Sequence, residues 1–133
     1  NNATFNAANT YVKALNDAID AAEAAAEEAS KEAAQKEIEA AAEALILPEL
    51  RVTASSSATS AVISAVKTEV ESENSNAVYY RSATVEVNSW SAPSSGATAE
   101  AVCDITITLR SKTDSSVVTT RLFENVTVYV TVS

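Results

Sequence analysis

The chain has 133 residues, 18 acidic and 9 basic side chains, and a formal net charge of −9. It contains no His, no Met, one Cys and one Gly. These absences exclude a Ser-His-Asp triad, a Cys-His dyad, a His-ligated zinc, a thiolate cluster, an internal disulfide and every Gly-rich phosphate loop.

The hydrophobic share of 47% overstates the core, because Ala supplies 27 of those residues. Leu, Ile, Val and Phe number 29, about 22% of the chain, just above the rough 20% below which charged chains stay disordered. A thin core of Val and Ala is therefore expected. The nine basic residues are scattered and never adjacent, which argues against nucleic acid and anionic lipid as partners. The acidity reads first as a solubility device; the sharper reading is a docking face for a basic partner. No apolar run approaches the roughly 18 residues of a membrane span. A chain opening on Asn1 without a signal-peptide pattern is expected to be a processed product, a trimmed piece or a design.

One domain, 1–133, is expected, with a change of composition at Pro48. Residues 1–47 carry nine acidic and three basic side chains and no Pro or Gly. They read as a helical layer. Phe5, Val12, Ile19, Ala26 and Ala33 fall seven apart, and Ala8, Leu15, Ala22 and Ala29 fill the seam between them. That is one apolar stripe on an otherwise polar helix. Glu27 with Lys31, and Glu32 with Lys36, have the favourable i,i+4 order. After Ala33 the stripe shifts to Ala34, Ile38, Ala41 and Leu45. An unbroken helix to Leu47 would span roughly 65 Å, so a break or kink near Ser30 is expected over a change of facing side. The Ala-rich seam is expected to pack on the chain's own sheet; the competing reading is assembly between subunits.

Residues 48–133 read mostly as sheet, rich in Val, Ser and Thr. Leu50 to Ala54 is a short strand. Residues 57–73 fit a helix better than a strand, with Ala58, Ala61, Val62, Ala65, Val66, Glu69 and Val70 on its inner face and an N-cap from Ser55, Ser56 or Ser57. Three long strands follow: Ala77 to Trp90, Ala99 to Lys112 and Ser116 to Val132. Ala101, Cys103, Ile105, Ile107 and Leu109 share one face, and Val126, Val128, Val130 and Val132 another. Glu124 falls on that apolar face unless a bulge near Glu124 and Asn125 re-aims it. The short connections suit a hairpin meander.

Few residues invite a functional role. Cys103 is expected to be a buried, inert thiol. Among Glu86, Glu100, Asp104 and Glu124 no acid/base pair stands out. Tyr79 and Tyr80 are adjacent, so on a strand they point to opposite faces and cannot form one stacking platform; with Trp90 and Tyr129 they read as rim and core filler. Thr106, Thr108, Thr119, Thr127 and Thr131 suggest an outward array interrupted by Arg121, Phe123 and Tyr129. Asn2-Ala3-Thr4 and Asn125-Val126-Thr127 match the glycosylation sequon, which leans toward an extracellular origin. No catalytic, cofactor-binding or metal residue is singled out, and no cofactor is expected.

The element order resembles cystatin-like and nuclear-transport-factor-like rolls, in which a helix lies on a curved antiparallel sheet of three to four strands. The acidic Ala-rich helix leading into Ser/Thr/Val strands also resembles subunits of extracellular filaments, and the Ala-Glu-Lys helix resembles designed sequences. The expected class is α+β. The expected role is a non-catalytic structural subunit that associates with itself through the Ala seam or the strand edges. The alternative is a natural or designed scaffold whose concavity, behind Cys103 and Ile105, holds a small apolar ligand.

Overall fold

A computed structural model describes residues 2–72 and 78–133. Helix α1 spans Asn2–Ala44. Strand β1 is Leu50–Ala54, helix α2 is Thr59–Glu71, and strands β2, β3 and β4 are Tyr79–Trp90, Thr98–Ser111 and Val118–Val132. The strands form one curled four-stranded sheet in the order β1-β4-β3-β2. The three long strands pair antiparallel, as a meander should. β1 instead joins β4 in parallel, Leu50 opposite Val128 and Ala54 opposite Val132. The fold is α+β, a helix on a curved and mostly antiparallel sheet.

The core lies on one face of that sheet. Ala101, Cys103, Ile105, Ile107 and Leu109 of β3 are buried side by side, with Val128, Val130 and Val132 of β4. Two helices cover this face. α2 contributes Val62, Val66 and Val70, the spacing that the inner-face period predicts. Its N-cap is Ala58, with no side-chain cap; Ser56 Oγ accepts from the Ala58 N–H at 3.3 Å. α2 packs on both β1 and β2, the two edges of the sheet, and so closes the half-barrel. At its end the Glu71 carboxylate takes a hydrogen bond from Lys67 and accepts the Ala83 N–H on edge strand β2 at 2.9 Å. Those two bonds hold the Glu71 carboxyl below the usual carboxylate range.

Two bulges bend the sheet. Between Cys103 and Ile105, β3 offers one residue where β4 offers Glu124 and Asn125. Asn125 adopts φ 53, a left-handed conformation that Asn tolerates better than most residues. The expected bulge is there, and its effect is visible: Phe123 before it and Val126 after it both pack against the core. A second bulge lies at Asn88, between Val87 and Ser89. Asp104 joins them. Its Oδ1 accepts from the Asn125 N–H at 2.9 Å and from Asn88 Nδ2 at 2.8 Å.

α1 departs from expectation. It is unbroken through Ser30, because nothing in its Ala- and Glu-rich sequence interrupts the backbone ladder. Only Ala34, Ile38 and Ala42 are buried. The shift in the apolar stripe marks a change of facing side within one continuous helix. Arg121 fastens the end of this helix. Its Nη1 donates to the carbonyls of Ala42, Glu43 and Leu45 at 2.8, 3.0 and 2.7 Å, acceptors at and just beyond the last helical turn, of which Ala42 also takes the Leu45 N–H at 3.2 Å. The guanidinium also lies over the Phe123 ring, 4.5 Å from its centroid.

Candidate functional site

Residues 2–33 of α1 are exposed throughout. At 1.5 Å per residue they form a free rod of roughly 48 Å. The seam expected to pack on the chain's own sheet does not reach it. Phe5, Tyr11, Val12, Leu15 and Ile19 retain 47–70% of their accessible surface. The rod nears the body only at its C-terminal end. Glu28, Lys31, Glu32 and Gln35 border a shallow cleft with Ser116 and Val117 at the tip of the β3–β4 hairpin, and Lys31 is near enough to help lower the pKa of Asp114. The larger causes of that shift are two hydrogen bonds from Ser116.

The stretch of seam nearest the body lies on the far side of the helix from it. At about 100° per residue, Ala22, Ala29 and Ala33 are roughly 140–180° around the axis from Ile38. Lys31, beside the hairpin, is on the body side. A second helix laid along Ala22 to Ala33 would therefore face away from the sheet of the same chain. The ion pair that forms on α1 is Lys13 with Asp17 at 2.8 Å; the expected pairs of Glu27 with Lys31 and Glu32 with Lys36 are not among the ion pairs of the described residues.

The strand edges are less open than the rod. The Glu71 carboxylate occupies the Ala83 N–H on β2. The Trp90 indole N–H donates to the Ser57 carbonyl at 3.0 Å, tying the far end of β2 to the α2 entry. α2 lies against both edge strands.

The remaining candidates separate. Cys103 is wholly buried, and burial pushes its thiol up. Tyr79 packs against the core while Tyr80 is exposed under the Lys112 ammonium, 5.0 Å from its ring centroid. Tyr129 carries the Arg51 guanidinium at 4.7 Å. Thr119 pairs with buried Leu109 and borders the Arg121 cleft, so it belongs to the inner face. Arg121 and Phe123, paired with Ile107 and Ile105, share that face and do not interrupt the outer threonines. Asp104 is spent on the two bulges. No group of three or more Cys, Asp or Glu side chains is arranged to hold a metal among the described residues. No described helix is long and apolar enough to cross a membrane.

Clefts are shallow. One of about 390 Å³ lies between Glu39 and Glu43 of α1 and Thr119 to Arg121 of β4. Another, of about 530 Å³, runs between β1 and α2 beside Arg51, Thr53, Ser64 and Thr68. Neither is lined by Cys103 or Ile105, which lie in the core cluster. Sequence reasoning found the seam and placed packing on the chain's own sheet ahead of assembly between subunits; the fold leaves the seam exposed. It missed Arg121 as the cap of α1, since the two are far apart in the chain and no local pattern links them.

Comparison with protein families, with curated proteins and with solved structures finds no match to this chain. The free rod is thus read from its own chemistry.

Proposed function

We propose that this chain is a non-catalytic structural subunit that associates with copies of itself through the free rod of α1. One observation carries the reading: a seven-residue apolar repeat runs along residues 5–33 and meets nothing in the chain that bears it. Scattered exposed apolar residues need no explanation. A repeat sustained over four heptads does, because a straight helix drifts by about 20° per heptad from such a pattern, and only a supercoiling helical partner keeps the seam covered. Burying one large aliphatic or Phe side chain fully contributes about 1.5–3 kcal/mol. Phe5, Val12, Leu15 and Ile19 supply four per chain. The Ala stretch adds little area but allows close approach.

Sedimentation velocity over a wide concentration range tests this. The parent chain is expected to sediment as a dimer or larger species at high concentration and to dissociate on dilution. Leu15→Glu, on the exposed rod, is expected to weaken association at least tenfold with an unchanged circular-dichroism spectrum of the sheet. A parent chain that stays monomeric at millimolar concentration removes the proposal.

A further inference from the structure

The seam is uneven, and its unevenness has a direction. Its four large residues, Phe5, Val12, Leu15 and Ile19, all lie at or before position 19. From Ala22 to Ala33 it is Ala alone. Resting on the self-association proposed above, we infer that two copies pair their rods antiparallel, centred between Leu15 and Ile19.

Size fit is the first argument. In antiparallel coiled pairs the two seam positions of one helix face the alternate positions of the other. Centred as stated, Phe5 meets Ala29 of the second copy, Val12 meets Ala22, Ala8 meets Ala26, and Leu15 meets Ile19. Each pairing occurs twice, as two-fold symmetry requires. A large side chain then faces a small one at both ends of the overlap, with the two Leu15–Ile19 contacts at its middle. Interaxial distance follows side-chain size, within roughly 8–10 Å. This register holds it nearly even along the rod. A parallel pair would set Phe5 on Phe5 and Ala on Ala, forcing the helices apart at one end and together at the other.

Charge is the second argument. Residues 2–17 carry Lys13 and Asp17 and no net charge. Residues 18–33 carry Asp20, Glu23, Glu27, Glu28 and Glu32 against Lys31, a net −4. A parallel pair lays one −4 half along the other. The antiparallel pair lays each beside a neutral half, which removes most of that repulsion. The residues flanking the seam agree: Glu23 falls near Asn9, and Glu32 near Thr4, so no like charges meet. The body offers no obstacle, because the seam near it faces away from Ile38 and the sheet.

Disulfide trapping distinguishes the orientations. Ala8→Cys and Ala26→Cys are made as separate single variants; both positions are exposed, and buried Cys103 stays in place. Under mild oxidation at a concentration where the parent is dimeric, mixing the two variants is expected to give at least fivefold more crosslinked dimer than either alone. The parent serves as the control for Cys103. Efficient crosslinking of Ala8→Cys with itself, or no enhancement on mixing, overturns the antiparallel register while leaving self-association standing. A parent that never dimerises overturns both.

Discussion

Arg121 does the work of a helix terminator. Helix α1 ends at Ala44 with no basic residue in its last turn, and Pro48 follows soon after. The Ala42 carbonyl also takes the Leu45 N–H, and the guanidinium that reaches over from β4 supplies donors to the Glu43 and Leu45 carbonyls. A cation at the negative end of the helix dipole adds to those bonds, and the Phe123 ring holds the group in place. Arg121→Met keeps the aliphatic stem and removes the donors. It is expected to cost about 1.5–3 kcal/mol, the range for hydrogen bonds to charged groups, read as a lower urea midpoint at constant slope. Loss of under about 0.5 kcal/mol would mean the cap is dispensable. Asp104 illustrates the same logic in reverse: a carboxylate that resembles a chemical group in the sequence is occupied as an acceptor for two bulges.

At the scale of elements, α1 is two helices in function though one in backbone. Its last turns belong to the core. Ile38 is wholly buried, and Ile→Ala in such a site costs about 2–5 kcal/mol. Ile38→Ala is therefore expected to lower stability at every protein concentration, measured by thermal or urea unfolding; a neutral result would contradict the packing of α1 on β3 and β4. Much at this scale was legible in the sequence. The inner face of α2, the bulge at Asn125 and the change of stripe after Ala33 all follow from periodicity. The break at Ser30 did not, since a shifted stripe reports a change of neighbour and says nothing of the backbone. The parallel pairing of β1 with β4 joins residues near 50 to residues near 130, and hydrophobic alternation specifies which face a strand buries but not which strand lies beside it.

At the scale of the whole molecule, the body and the rod solve different problems. The body closes a Val- and Ala-lined core with α2 across the two sheet edges, which leaves little strand edge to template aggregation. The rod leaves its apolar repeat outside that core. The chain has only 29 Leu, Ile, Val and Phe residues, and part of that supply is set aside on the rod. The candidate site was thus legible as a pattern, but its partner was not, because a seam of Ala serves equally well against a sheet of the same chain or a helix of another.

The most direct measurement is hydrogen exchange of the backbone amides of residues 5–33, followed by mass spectrometry at high and low protein concentration. A rod held by a second copy is expected to show protection that rises with concentration across both halves, Phe5 to Ile19 and Ala22 to Ala33, while the buried strands β3 and β4 are protected equally at both. Uniformly fast exchange along the rod at every concentration, with β3 and β4 protected, would contradict the account.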